Sequence, residues 1–593
     1  MYFRILLLLL IMSEKQYSWK EWLSNENAVR YVYLIFGFFA ILMLMIILQR
    51  STDAICCGDW DGYYHIRWSQ ILWESLSSGR GLPEFKWLPL TILDPQHYSD
   101  HHFFFHLLQI PFLWFFEPVT AAKVASVFYG TLAVFSVYWL LFYYKVKYLP
   151  IWLGALLTCA TSFYYRMNMA KAPPLTIIFS VIGIYLLFER RYIWLFPLMF
   201  IFTWTYSLFP VLWIAALIWT LIIAWNERIF DWRPLGYTTL GAILGNIIHP
   251  YFPNNIQLFI EHLSMKIRMG SYDVPVGGEW YPYSGVELLS NFPIAFLAML
   301  LGYILFVPKK KLSEKATFFL LFVTPLLIAQ FIAKRYAEYF PPFAILFAAF
   351  TWQSFFTSDL SSLPEDFRRE IEPLLDKRKE NDIYEYLKQG TAIAIGILFF
   401  LLIIFSYKGV EIGSLKQEGL IESIRNNEPN SKYERAMEWA KANIPENEII
   451  FNCNWDDFPK LFYLDTTHRY VYGLDPNYLY SKNPDLFKLV DDITKGKVDD
   501  PAPIIREKIG SNYIFSDAKD CTDFIAKALE SGWFDIAYED DEAYFLRLRK
   551  EKGQPPNLED EEKETNEMNK ANNSTEEENN TAQEEPEEDD SVQ

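Results

Sequence analysis

Runs of apolar residues alternate with short polar or charged segments along most of this chain. The runs fall at 31–48, 121–144, 149–165, 173–188, 192–207, 209–225, 236–250, 291–307, 316–333, 338–356 and 390–406. A helix crosses a hydrocarbon core of ~30 Å with about 18 or more near-apolar residues, and these runs are near that length. In lipid only helices or closed barrels satisfy the backbone, and the runs lack the two-residue alternation of a barrel strand. The pattern predicts a polytopic α-helical membrane protein with about eleven spans.

The charges between the runs orient them. One alternate set of loops carries Lys145 and Lys147, Arg190 and Arg191, Arg228 and Arg233, and Lys309, Lys310 and Lys311. The long loop with Arg368, Arg369, Lys377, Arg378 and Lys379 belongs to the same set. Basic loops stay in the cytoplasm, so this set is expected inside. The opposite set, 49–120, 166–172, 251–290 and 334–337, is rich in Asp, His, Trp and Tyr and is expected outside. The last run then delivers residues 407–550 to the outer face. Helical spacing at 431–443, 484–496 and 519–531 alternates there with strand patterns at 448–452, 513–515 and 544–548. Strands alternating with helices predict a small extracytoplasmic α/β domain.

Composition adds little until its distribution is considered. Hydrophobic residues make up 52% of the 593 residues, a share that an ordinary buried core would also give. Much of the net charge of −19 collects in the tail, where from about Asn557 the chain is Glu, Asp, Asn and Thr with few apolar side chains. Such a segment cannot bury enough surface to fold, so 551–593 reads as a disordered acidic tail and nucleic acid is excluded as a partner. The expected organisation is a transmembrane domain over 1–406, the α/β domain over 407–550 and the tail. The apolar stretch within Met1 to Met12 is too short to span. It has no small-residue cleavage site after it, and reads as a misassigned start or a membrane-dipping segment. Five cysteines form no metal pattern. Cys453 and Cys521 read either as two buried thiols or as a bridge outside the cytoplasm.

Candidate chemistry sits in the outer loops. Gly58-Asp59-Trp60-Asp61-Gly62-Tyr63-Tyr64-His65-Ile66-Arg67 follows the first span. Asp59 and Asp61 can share a hard cation such as Mg²⁺ or Mn²⁺, act as a base, or simply form a solvated turn. The same loop ends with Asp94, His97, Asp100, His101 and His102, either a transition-metal set or polar groups lining a cavity, and Phe103-Phe104-Phe105-His106 follows. Arg166, Lys171, Lys334 and Arg335 are basic residues in outer loops that hold few others. They can bind a phosphate or snorkel to lipid headgroups. Glu279 lies in Val276-Gly277-Gly278-Glu279-Trp280-Tyr281-Pro282, a glycine-bearing segment suited to a flap. Trp455, Asp456 and Asp457 follow a predicted strand, where ligands often bind and helices often start.

Together these pieces resemble the GT-C superfamily of membrane glycosyltransferases, above all the catalytic subunit of oligosaccharyltransferase and its single-subunit bacterial and archaeal relatives. The residues that carry the resemblance are Asp59 to Arg67 and Arg335-Tyr336-Ala337-Glu338-Tyr339-Phe340-Pro341. The resemblance implies about 11–13 transmembrane helices with a soluble C-terminal domain, and transfer of a sugar or oligosaccharide from a polyprenyl-(pyro)phosphate donor. The acceptor would be a protein, a lipid or a cell-wall polymer. It implies catalytic roles for Asp59, Asp61 and Glu279, donor-phosphate contacts from Arg166, Lys171, Lys334 and Arg335, and acceptor contacts from Trp455, Asp456 and Asp457. A divalent Mg²⁺ or Mn²⁺ would sit on Asp59 and Asp61, with His101 and His102 as further metal candidates. The chain departs from the family at Lys171-Ala172-Pro173, where a second acidic motif belongs. Lys171 could supply positive charge in the metal's place. The Trp-Trp-Asp-Tyr-Gly signature is absent. A single-sugar transferase acting on lipid or cell wall, and a non-catalytic scaffold or transporter on a GT-C-derived fold, are the alternatives.

Overall fold

A computed structural model describes residues 26–57, 60–267, 274, 276–306, 313–357, 409–412 and 415–553. Asp59, the apolar run at 390–406, the basic residues at 309–311 and 368–379, the segment 1–12 and the tail from 554 lie outside the described residues. The chain divides into two compact units. The first is Met1–Glu434 with Trp455–Thr466 and Tyr472–Pro484; the second is Arg435–Asn454, Thr467–Val471 and Asp485–Gln593. Three stretches within the range expected for the α/β domain, 407–434, 455–466 and 472–484, fall in the first unit.

Every apolar run within the described residues of the helical unit holds a helix. In chain order they begin with α1 (Glu26–Gln49), α2 (Asp61–Ser77), α3 (Phe103–Leu113) and α4 (Pro118–Tyr143). α5 (Leu149–Leu157), α6 (Thr161–Met167), α7 (Pro173–Phe188), α8 (Leu195–Thr205), α9 (Pro210–Glu227) and α10 (Arg233–Ile247) follow. Next come α11 (Asn254–Ile267), α12 (Gly285–Asn291), α13 (Pro293–Leu305), α14 (Glu314–Gln330) and α15 (Phe340–Thr357). Proline opens α4, α7, α9 and α13, where its missing N–H costs nothing. On α1, Phe36 and Phe39 are 64% and 55% exposed while Ile41 and Met45 are fully buried. An apolar face left outside the packed core suits lipid, and the chain is an integral membrane protein. Among the described residues, three helices reach spanning length with apolar composition: Asn27–Gln49, Pro118–Tyr143 and Pro210–Glu227.

Two expected spans are broken, for local reasons. The run at 149–165 splits into α5 and α6 at an extended Ala160. The hydroxyls of Thr161 and Ser162 donate to Asn291 Oδ1 at 2.9 and 3.0 Å, which anchors the start of α6. The run at 291–307 bends by 82° between α12 and α13, because Pro293 forces the preceding Phe292 out of helical geometry. The first break frees Arg166 from a continuous span and sets it on the short α6.

Close packing fixes α6 against α4. A Cβ on Gly130 of α4 would lie 2.6 Å from the Met167 carbonyl oxygen, so only glycine permits this approach. The segments 455–466 and 472–484 are pinned to the helical unit by polar contacts. Trp87 Nε1 donates to the Thr466 carbonyl at 2.9 Å, His262 Nε2 lies 2.9 Å from the Tyr478 hydroxyl, and Lys482 pairs with Asp94.

The second unit holds a five-stranded mixed sheet. Its strands are β3 (Ile449–Asn452), β4 (Arg469–Tyr470), β5 (Ser511–Asp517), β6 (Phe534–Glu539) and β7 (Ala543–Leu548), ordered β4-β3-β5-β7-β6; β1 (Gly409–Ile412) and β2 (Leu415–Glu418) form a separate antiparallel pair in the first unit. β3 runs parallel to β4 and β5, and β7 antiparallel to β5 and β6. Trp439 packs on Phe545 and Tyr538, and Phe451 on Phe524. Strands β4 and β6 escaped the sequence pattern, being respectively two residues long and irregularly buried. Cys453 and Cys521 form a disulfide across 68 residues, whereas Cys159 of the helical unit is a buried free thiol.

Replacing Cys453 and Cys521 together by Ser should lower the unfolding free energy of this unit by about 4 kcal/mol, the cost of opening a loop of that length. Chemical denaturation of the full chain, followed by Trp fluorescence, measures it. Gly130→Val should destabilise the helical unit by roughly 1–3 kcal/mol through overpacking against Met167, read as a lower thermal midpoint in detergent.

Candidate active site

A cavity of about 750 Å³ lies within the helical unit. Its charged groups arrive from separate elements. Asp61 opens α2, Arg166 ends α6, and Lys171 sits in the turn before α7. Glu279 rides on a 3₁₀ turn, Gly278–Trp280, and Arg335 on another, Lys334–Glu338. All five line the cavity, as do His101, His102, Trp455 and Asp456. Lys334 does not line it. Its ammonium lies over the Tyr283 ring at 5.2 Å and 3.8 Å from Glu287. Asp457 is also turned away, accepting from the Tyr433 hydroxyl at 3.2 Å.

The charges are paired in a fixed order. Arg166 Nε donates to Glu338 Oε1 at 2.6 Å, and its Nη2 to Glu279 Oε2 at 2.7 Å. Arg335 Nη1 donates to the other Glu279 oxygen at 2.9 Å, and Nη2 to the Tyr206 hydroxyl at 2.5 Å. The Arg335 guanidinium also lies 4.6 Å above the Trp280 ring. Glu279 thus bridges two arginines. Burial alone would push its carboxyl up, but Arg335, Arg166 and Lys171 hold it far below the usual carboxylate range. Glu338 is fully buried and has one carboxylate oxygen without a hydrogen-bond partner. Lys171 Nζ reaches Asp61 Oδ2 at 2.8 Å.

Asp59, one of the two carboxylates expected to hold a divalent ion, lies outside the described residues. Among the described residues no three His, Cys, Asp or Glu side chains converge on one point. The Asp61 carboxylate is engaged by Lys171. His102 stacks on Tyr206 at 5.4 Å, and burial holds it well below the ordinary histidine range. His97 pairs with Asp94 at 2.8 Å, apart from the cavity lining.

Several lining groups were not singled out from the sequence. His65 lines the cavity one helical turn after Asp61, and the i, i+4 spacing within α2 is the signal that could have found it. Asp475, Asn477 and Tyr478 carried no such signal, since folding alone brings them to the cavity. The Asp475 carboxyl is raised by burial and accepts from Asn477 through backbone and side chain at 2.9 and 2.8 Å.

No protein-family model matches the chain, and no curated protein matches it in sequence. Solved structures resemble it in backbone layout. ArnT from Cupriavidus metallidurans in the apo state has a TM-score of 0.48 at 12% identity, over 88% of this chain and 99% of that one. The same protein bound to undecaprenyl phosphate gives 0.46 at 12% identity, over 88% and 99%. Arabinofuranosyltransferase AftD from Mycobacteria gives 0.43 at 10% identity, over 88% of this chain and 40% of that one. At such TM-scores the likeness is too loose to assign an activity, which is argued from the cavity itself.

The depressed Glu279 pKa carries a sign. Its contribution to stability is complete above the unfolded value of about 4.3 and is lost as pH falls through the lower folded value. Glu279→Gln should therefore destabilise the protein by roughly 2 kcal/mol, leaving two buried guanidinium groups short of an anion. Thermal midpoints of variant and parent should differ by a constant amount from pH 7 to about pH 5, and converge only at lower pH.

Proposed function

We propose that the chain is a glycosyltransferase moving a sugar or oligosaccharide from a polyprenyl-(pyro)phosphate donor to a protein, lipid or cell-wall acceptor at the outer membrane face. The observation that carries this reading is the convergence of Arg166, Lys171 and Arg335 with the Asp61 carboxylate in one aromatic-walled cavity of a membrane protein. Cleavage of a sugar–phosphate bond leaves negative charge on the departing oxygen, and preorganised cations in a water-poor site stabilise it. Arg335, with Lys171 beside it, supplies such charge without a metal. Lys334, directed away from the cavity, has no part in this reading. Trp455 and Asp456 line the cavity and are the acceptor contacts we assign. The disulfide between Cys453 and Cys521 supports placing the C-terminal unit outside the cytoplasm, since such bonds persist in oxidising compartments.

Transfer should be measured with the full chain in vesicles made from native membrane lipid, reading glycan products on proteins and lipids by mass spectrometry. Arg335→Ala should lower turnover by roughly 10²–10³-fold, the usual cost of removing a charge-stabilising donor. Asp61→Asn should reduce it comparably by releasing Lys171 from its fixed position. Full activity in both variants would remove the reading.

A further inference from the structure

Beside the cavity, three buried side chains form a hydrogen-bonded chain. Asp100 Oδ2 lies 2.6 Å from His106 Nδ1, and His106 Nε2 lies 2.8 Å from His65 Nδ1. Asp100 is 2% exposed, His106 fully buried and His65 3% exposed. The carboxylate is further fixed by Trp68 Nε1 at 3.0 Å and by the His102 backbone N–H at 2.9 Å. His65 and Asp100 line the cavity and His106 does not.

Hydrogen-bond logic restricts the protons. Burial would raise the Asp100 carboxyl, but His106, His101 and the His102 N–H outweigh it and keep the group ionised. A carboxylate only accepts, so His106 Nδ1 carries a proton. With His106 neutral, its Nε2 is bare and accepts from His65 Nδ1–H, which leaves His65 Nε2 bare on the ring edge away from His106. A proton added at that atom need not rest there. The Nδ1 proton of His65 passes to His106 Nε2, and the positive charge comes to lie on His106 against Asp100.

We propose that His65 Nε2 is the proton acceptor of the transfer, and that His106 and Asp100 form a relay that takes the resulting charge off the His65 ring and holds it on His106 against the Asp100 carboxylate. This rests on the glycosyltransferase reading above. In the step, the acceptor's attacking atom bonds to the anomeric carbon of the donor sugar and its proton goes to His65 Nε2. The anomeric carbon–oxygen bond to phosphate breaks, and its electron pair leaves on the phosphate. Asp61, paired with Lys171, orients the acceptor. The groups facing the His65 ring favour moving the charge away. Lys171 approaches from the turn before α7, and His101 and His102 from the loop before α3, with His262 against His101. Burial first, then His106, Lys171 and His101, hold His65 itself well below the ordinary histidine range. His106 and Asp100 are positioning residues in this scheme.

Two measurements test it separately. The full chain, ¹⁵N-labelled at its eight histidines, is placed in lipid vesicles and its imidazole nitrogens are read by solid-state NMR, with His65→Gln assigning the signal. At neutral pH, His65 should carry its proton on Nδ1. In Asp100→Asn the His106 ring loses the acceptor that fixes its tautomer, and the His65 Nδ1 signal should move or split. A proton on His65 Nε2 at neutral pH, or a parent-like His65 signal in Asp100→Asn, overturns the relay. In the transfer assay, His65→Gln should lower kcat by roughly 10²-fold or more with KM changed only a few-fold. Asp100→Asn should lower kcat less and displace the acid limb of its pH profile. Parent-like kcat in His65→Gln overturns the proposal. Absence of transfer by the parent protein defeats the glycosyltransferase reading and, with it, the catalytic half of the proposal, while the spectra still decide the relay. Parent-like spectra from the remaining histidines separate lost chemistry from lost folding.

Discussion

Charge buried away from water must be paired, and the helical unit is organised around that requirement. Arg166 and Arg335 are held where solvation is poor, and each would be costly without an anion. Glu279 bridges them, and Glu338 closes the far side of Arg166. The four groups come from α6, the Gly278–Trp280 turn and the Lys334–Glu338 turn. Pairing across these elements ties a loop to two helical segments, so the network gives the cavity its walls as well as its charge.

The cavity follows from where the chain refuses to continue as helix. The break at Ala160 ends α5 early and presents Arg166 on a short helix, while Pro293 turns α12 away from α13. Uninterrupted spans would have placed these side chains in lipid or against neighbours. Broken helices near a membrane surface tolerate polar groups only where protein or a cavity satisfies them. The carboxylate and cation sets here do so mutually, with Tyr206 and Trp280 completing the surroundings of Arg335.

A second consequence concerns the division of labour between charges. Asp61 is neutralised by Lys171, and Glu279 by two arginines, so neither carboxylate stands free as a base in this arrangement. The imidazole of His65, which lines the cavity, is differently placed, since its Nδ1 is tied to a chain that ends on a buried carboxylate. Fixing a tautomer from behind is what a buried Asp does for a histidine base in other enzymes.

The sequence by itself determined the apolar runs, the acidic tail and the alternation of helix and strand in the C-terminal unit. These depend on composition and on periodicity within a few turns, which neighbours along the chain already specify. It also brought forward Asp61, Glu279, Lys171, Arg166 and Arg335, because charged residues are rare beside spans. It ranked Lys334 and Asp457 with them, since a pattern along the chain does not tell which way a side chain turns. Only the tertiary structure separated those two from the site, paired Lys171 with Asp61, and closed the Cys453–Cys521 bridge. Asp475, Asn477 and Tyr478 reach the cavity from a stretch that looked like part of the α/β domain. His65, His106 and Asp100 form one hydrogen-bonded chain although His65 and His106 are 41 positions apart. Such contacts arise from packing of distant segments, and no local periodicity records them.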